Sequence, residues 1–254
     1  MPPIAGAPLG QYPIRPTPLN IGEVLTFAWN VLKREMGMCI LAMFITMGVN
    51  FGFSMIGNVV QAVVAQSRDE ATRMVGLGIF GVLQIVGMVV QTWLNLGVAK
   101  FNLGIARGQR ADIYEVFRGG PYLVPAILAS LLIGGGVLLC LAVLLPAFLT
   151  EYWLIVGIPV AVIGTLYISF TYSQFMYLIV DRGMGVMDSL NTSAQIMAGN
   201  RLLLFVLGIV CGGIMLLGLL AFCVGLFVAI PLVSLVMVVA YLQMTGQLSS
   251  SDLR

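Results

Sequence analysis

Long runs of apolar residues alternate with short polar gaps along most of this chain. A helix needs about 20 residues to cross a hydrocarbon layer of about 30 Å. The runs long enough for one crossing each are residues 37–66, 75–99, 121–146 and 153–180. The run at residues 202–244 is too long for one crossing at about 1.5 Å per residue. We expect it to fold back near residues 222–225, which makes six spans in all.

Three polar gaps carry the periodicity of an amphipathic helix. In residues 20–34 the apolar side chains follow the i, i+3, i+4, i+7 spacing of one helical face, and Asn20 and Glu23 have the spacing of a helix start. A shorter segment opens at Asp112, and residues 186–198 form the third. Because these segments precede spans one, three and five, we expect interfacial helices there and three copies of one unit: surface helix, span, turn and span.

The composition fits lipid as the solvent. Of the 254 residues, 60% are hydrophobic and 9% are charged, whereas soluble domains are about 45–50% apolar and about 25% charged. The sequence therefore predicts an all-α integral membrane bundle of about six transmembrane helices in residues 20–246. A proline-rich N-terminal arm, residues 1–19, precedes it, and a short polar tail, residues 247–254, follows. The arm is either a disordered leader, which we prefer, or a docking strap.

Basic residues are distributed unevenly between the two ends of the spans. Only Arg68 and Arg73 fall on one side, whereas the other ten Lys and Arg residues fall on the side of both termini. By the positive-inside rule the second side is cytoplasmic. We therefore expect a multi-pass protein of the cytoplasmic (inner) membrane with both termini in the cytoplasm.

Residue types that the sequence lacks exclude several kinds of chemistry. The chain has no histidine and no C-x-x-C pair, so histidine-dependent triads and common zinc sites are excluded, and we expect neither cofactor nor metal. The net charge is only +2, with no basic run, so we expect no nucleic acid partner. No charged residue falls deep in a predicted span; for Glu115, Asp181 and Asp188 we expect capping or surface roles.

Uncharged polar side chains form stripes on three predicted spans. They are Asn50, Ser54, Asn58 and Gln61 on span one, Gln84, Gln91 and Asn95 on span two, and Thr165, Ser169 and Ser173 on span four. In the interpretation we prefer, these groups bond across helix contacts at about 0.6 kcal/mol each. Asn50, Asn58 and Gln61 should then lie about 2.7–3.2 Å from partners on spans two or four. In the alternative, the stripes line a polar path or a lipid-headgroup cleft between spans one, two and four.

Glycines allow close helix approach at three places: Gly48 and Gly52, Gly208 and Gly212, and residues 134–136. We interpret them first as packing within one protomer. The partners we expect are membrane lipids, and other membrane subunits bound through the N-terminal arm or these glycine-rich faces.

Two stretches carry a resemblance to a known family. One is Leu-Asn-Ile-Gly-Glu-Val-Leu at residues 19–25, and the other is the segment 187–201, which ends in Gly-Asn-Arg and is followed by Gly225, Pro231 and Tyr241. They resemble bacterial six-span membrane proteins related to the membrane domain of glycerophosphoryl diester phosphodiesterases. Ala194 stands where that family suggests an aromatic residue. The resemblance implies a six-span fold in a bacterial membrane, but the catalytic barrel is missing, so it implies no catalysis.

Three functions follow as hypotheses. The first is a non-enzymatic scaffold or accessory subunit that handles lipid, because the sequence has surface helices, no soluble domain and no buried charge. The second is a transporter or channel for a small uncharged solute, which would use the polar stripes. The third, which we rank last, is an interfacial lipid-processing enzyme that uses Glu115, Asp181 or Asp188.

Overall fold

The computed structural model describes residues 14, 16–67, 69–144, 153–221 and 225–248. In this part the chain is helical and has no strand. Six segments are long and apolar enough to cross a membrane: Met36–Gln66, Glu70–Ala106, Ile113–Ala142, Ile155–Arg182, Arg201–Leu220 and Leu226–Met244. The predicted all-α membrane bundle is therefore confirmed. Residues 222–224 of the expected turn between spans five and six lie outside the described residues, as do most of the arm and the end of the tail.

The α-helices are α1 (Ile21–Arg34), α2 (Met36–Gln66), α3 (Glu70–Ala106), α4 (Leu123–Ala142), α5 (Trp153–Thr171), α6 (Phe175–Arg182), α7 (Val186–Met197), α8 (Arg201–Leu220) and α9 (Leu226–Met244). Helix α9 lies at the centre of the bundle and packs against α1, α2, α3 and α8. It continues through Pro231. Short 3₁₀ segments, Ile113–Phe117 and Gly120–Tyr122, precede α4.

Helical segments precede spans one, three and five, as the periodicity predicts. Helix α1 starts where expected, because the Asn20 side chain accepts a hydrogen bond from the backbone N–H of Glu23 at 3.4 Å. Its apolar face, which includes Val24 and Leu32, is buried and packs mainly against α9 of the same chain. The segment before span three is a 3₁₀ helix of five residues, so it is too short to present a helical face of its own.

Span four differs from the single helix that the sequence predicts. Helix α5 ends at Thr171, and α6 begins only at Phe175. The reason is a serine from α7: the Ser193 hydroxyl donates to the carbonyl of Thr171 at 2.9 Å and accepts from the backbone N–H of Gln174 at 3.3 Å. These bonds satisfy backbone groups that the break leaves without helical partners.

The last residues of the arm are docked on the bundle. The Asn200 carboxamide accepts from the backbone N–H of Leu19 at 3.0 Å and donates to the carbonyl of Thr17 at 3.0 Å. Thr17 also donates through its hydroxyl to the carbonyl of Gln243, whose own side chain accepts from the N–H of Asn20 at 2.9 Å. For residues 16–19 this favours the docking strap over the disordered leader.

A buried ion pair joins the ends of spans two, four and six. Asp181, at the end of α6, is 2% exposed, and its Oδ1 lies 2.6 Å from Nη2 of Arg107, the residue after α3. Tyr241 of α9 donates its hydroxyl to Asp181 Oδ2 at 2.8 Å, and Gln247 donates its amide to the same oxygen at 3.0 Å. The expectation of a surface role for Asp181 is therefore wrong. These four residues form what we call the Asp181 cluster.

The substitution Arg107→Met should destabilise the protein strongly. It leaves the Asp181 carboxylate buried without its cation, and breaking a buried pair in this way costs about 3–5 kcal/mol. We expect a lower melting temperature in detergent, whereas the matched variant Arg110→Met should melt like the wild type because Arg110 is exposed.

Adding Asp181→Asn to Arg107→Met removes the uncompensated charge and leaves an acceptor for Tyr241. The double variant should therefore recover part of the loss. Equal melting temperatures for Arg107→Met and Arg110→Met would contradict the proposed role of the cluster.

Candidate functional site

Helices α2 and α3 form a hairpin whose loop-side half stands apart from the rest of the bundle. The buried residues of α2 lie near its start and end with Met43, and those of α3 begin only at Leu94. Among the described residues from 44 to 93, none is buried. In this region the two helices pack chiefly on each other. The other side of each helix is therefore exposed on the surface of the protein.

Glycines lie at the contact between the two helices. A Cβ added to Gly57 of α2 would lie 3.7 Å from the Phe80 ring of α3, and one added to Gly87 of α3 would lie 3.5 Å from the Phe53 ring of α2. The pairing is reciprocal, since each phenylalanine packs over a glycine of the opposite helix. Nearer the loop, a Cβ on Gly76 would come within 2.2 Å of Val64, so only glycine fits there without a shift of Val64.

A polar groove of about 540 Å³ runs along this hairpin. It is lined by Asn50, Phe53, Ser54, Gly57, Asn58, Gln61, Phe80, Leu83, Gln84, Gly87, Met88 and Gln91. The whole predicted stripe of span one is present, together with two of the three residues of the stripe on span two. No charged residue lines the groove.

The expected hydrogen bonds between spans are not formed. Asn50 donates its amide to the carbonyl of Thr46 in its own helix at 2.9 Å. Within the described part of the chain, Asn58 and Gln61 make no hydrogen bond to protein, and neither do Gln84 and Gln91. The physical reason is that the two helices meet through the phenylalanine–glycine contacts, and the amides beside them lie along the open groove rather than opposite one another.

The remaining stripe residues lie elsewhere. Asn95 is exposed on α3, one turn beyond Gln91, and it does not line the groove. Thr165 and Ser169 lie on α5, and Ser173 lies just after its end. Helix α5 packs against α4, α7 and α8 rather than against the hairpin. Ser173 donates to the carbonyl of Phe170 at 3.0 Å. The idea of one cleft between spans one, two and four is therefore wrong, because the groove belongs to spans one and two.

Sequence reasoning missed the apolar half of the groove. Phe53 and Gly57 of α2 are four residues apart and alternate with the polar stripe positions, whereas Phe80 and Gly87 of α3 are seven residues apart, on either side of Gln84. An aromatic residue and a glycine four or seven apart beside a polar stripe is the signal that could have found them.

The carboxylates considered for catalysis are held in structural contacts or exposed. Glu115 forms two ion pairs: its Oε2 lies 2.9 Å from Nζ of Lys100, and its Oε1 lies 2.7 Å from Nη1 of Arg118. Asp188 is exposed in the first turn of α7. Among the described residues no group of three His, Cys, Asp or Glu side chains could hold a metal ion.

The hairpin loop contains one carboxylate of its own. Asp69 Oδ2 accepts from the hydroxyl of Thr72 at 2.7 Å and from its backbone N–H at 3.1 Å. These hydrogen bonds favour the ionised form and lower the pKa of Asp69. Asp69 therefore acts as the N-cap of α3 rather than as an acid or base.

The groove offers hydrogen-bonding groups and no titratable side chain. Its carboxamides each offer two donors and an acceptor, and Ser54 adds a hydroxyl. None of the lining residues titrates near neutral pH, so no general acid or base accompanies Ser54. No family model matches this chain, and neither the curated proteins nor the solved structures contain a match to it.

Proposed function

We propose that the protein is a non-enzymatic membrane scaffold or accessory subunit that handles lipid, and that the α2–α3 groove binds the lipid headgroup. The observation that supports this proposal is the set of carboxamides without protein partners on a hairpin that is otherwise apolar and exposed. In a membrane these amides need water or a polar ligand as a partner, because an amide left unpaired in hydrocarbon costs about 2–7 kcal/mol. A lipid headgroup that enters the groove can take the place of that water.

Lipid is the most abundant ligand around an apolar, exposed hairpin in a membrane. Its flanks expose large apolar side chains, among them Phe51, Val59 and Val82, which suit acyl chains. The exposed apolar residues adjoin the groove lining in sequence, so in this proposal the headgroup occupies the groove while its chains stay in the bilayer. The protein contributes hydrogen bonds, and the bilayer supplies the ligand at high local concentration.

The absence of titratable groups from the groove favours a binding role over an enzymatic one. The carboxylates of Asp181 and Glu115 each have arginine or lysine partners, which assigns them to structure. In this proposal the Asp181 cluster keeps the base of the hairpin rigid, and the groove does the binding.

A second candidate is transport of a small uncharged solute. It is favoured by the length of the groove, which follows α2 from Asn50 to Gln61 without a charged residue. A transporter should carry a neutral solute across proteoliposomes, whereas a lipid-binding accessory subunit should not. Solute flux that is lost in Gln84→Leu would favour this candidate.

The location we propose is the inner membrane of a bacterium, with both termini and the surface helices α1 and α7 on the cytoplasmic side. The charge asymmetry supports the orientation, and the resemblance of residues 19–25 and 187–201 to the bacterial six-span family supports the source. A reporter active only in the periplasm should be inactive when fused after Arg254. Activity there would overturn the orientation.

The double substitution Gln84→Leu/Gln91→Leu should release lipid that the wild type retains through purification in mild detergent. Leucine keeps much of the volume and removes two hydrogen-bonding groups worth about 0.5–1.5 kcal/mol each, so we expect a loss of about tenfold. The measurement is mass spectrometry of co-purified lipid per protein.

The control for this experiment is Asn95→Leu, which changes the same chemistry on the same helix outside the groove. It should retain lipid like the wild type. If the double variant retains as much lipid as this control, the groove is not the lipid site and the proposed function fails.

A further inference from the structure

We propose that the ligand of the groove is the uncharged sugar headgroup of a glycolipid. This inference rests on the proposed function and specifies its ligand. It depends on four properties of the described residues: the charge of the groove, the kind of polar group it offers, its aromatic side chains and the apolar surface beside it.

The charge of the groove excludes ionic headgroups as the best ligand. Proteins bind phosphate through arginine, lysine or clustered backbone N–H groups. None of the lining residues is basic, and the lining lies within helices whose N–H groups are used in the helical pattern. A phosphate placed here would exchange part of its hydration for uncharged amides and gain no cation, so a neutral headgroup is favoured.

The polar groups of the groove match hydroxyls. Each sugar hydroxyl donates one hydrogen bond and accepts others, and each carboxamide does both through separate atoms. Asn58 and Gln61 of α2 face the same groove as Gln84 and Gln91 of α3, and none of the four is engaged by protein. Because Gly57 faces Phe80 and Gly87 faces Phe53, Asn58 and Gln84 are the carboxamides of the two helices nearest this stretch, and a ring that carries several hydroxyls can bond to both.

Two aromatic rings line the same groove. Phe53 comes from α2 and Phe80 from α3. One face of a sugar ring consists of C–H groups, which pack favourably against an aromatic ring, and ligand pockets commonly combine such apolar contacts with a few placed polar groups. The volume of about 540 Å³ lies within the range of about 300–1,000 Å³ typical of small-molecule sites.

The apolar surface beside the groove favours a sugar attached to a lipid over a free sugar. Phe51 and Val59 of α2 are each 63% exposed next to the lining residues. Acyl chains would cover this surface, whereas a free sugar would leave it uncovered. The binding of chains and headgroup together gives a lipid more contact than a soluble sugar of the same chemistry.

The test uses the full-length protein in nanodiscs of phosphatidylcholine that contain a small fraction of monoglucosyl diacylglycerol. Native mass spectrometry counts the lipids that stay bound after release from the nanodisc. We expect the glucosyl lipid to be retained well above its share of the bilayer. We further expect Asn58→Leu to reduce this retention by about threefold, whereas Asn95→Leu, which changes the same chemistry outside the groove, leaves it unchanged.

The other outcomes are distinct. Phosphatidylcholine could instead be retained as strongly as the glucosyl lipid, with Asn58→Leu reducing the retention of both lipids to the same extent. The groove would then bind lipid without preference for sugar, so this inference would fail and the proposed function would stand. If free glucose displaces the lipid, the source is a soluble sugar and the inference also fails. If no retained lipid depends on Asn58, both proposals fail. If Asn58→Leu instead changes the number of protein chains per particle, a second copy of the chain covers the groove and the inference is overturned.

Discussion

The ion pair between Asp181 and Arg107 holds the ends of spans two and four together. It brings a residue at the end of span four against a residue at the end of span two, and Tyr241 and Gln247 add the end of span six. A carboxylate that is 2% exposed needs a partner cation and several donors to be tolerated. The cluster supplies both, so it fixes the relative positions of three hairpin ends.

This fixed end explains the uneven packing of the protein. The buried part of α3 runs from Leu94 towards Arg107, and α9 is buried along most of its length. The docked strap at residues 16–20 closes the same end through Asn200 and Gln243. The loop-side half of the α2–α3 hairpin has no comparable support and stays exposed. The protein therefore has a rigid base at one end and an accessible groove at the other.

The elements of the fold could be predicted from the sequence because each depends on local patterns. Apolar runs locate the spans, and Asn20 marks the start of α1. The amides of the groove were also predictable, since α2 and α3 are neighbours in the chain and their polar residues repeat at helical intervals. Periodicity shows which residues share a face, but it does not show which helix that face meets. For that reason periodicity does not show that the stripe of α5 lies away from the groove, or that the amides of α2 and α3 do not bond across the helix contact.

The Asp181 cluster could not be predicted for a related reason. A carboxylate at the end of a span has the sequence pattern of an interfacial residue, and its cation lies 74 residues away in the chain. Only the packing of α3, α6 and α9 brings the two together. The break in span four is similar, because Ser193 of another helix completes the backbone hydrogen bonds that the break exposes.

We expect one face of the α2–α3 hairpin to be a polar groove accessible to water and headgroups while the neighbouring face contacts lipid chains. Single cysteines introduced into a variant without its four native cysteines test this claim directly in membranes, with a charged maleimide as the probe. Ser54→Cys and Asn58→Cys, which lie in the groove, should react much faster than Met55→Cys and Val59→Cys, which are exposed one position further along α2. Equally slow labelling at all four positions would show that the groove faces hydrocarbon, and would contradict the account.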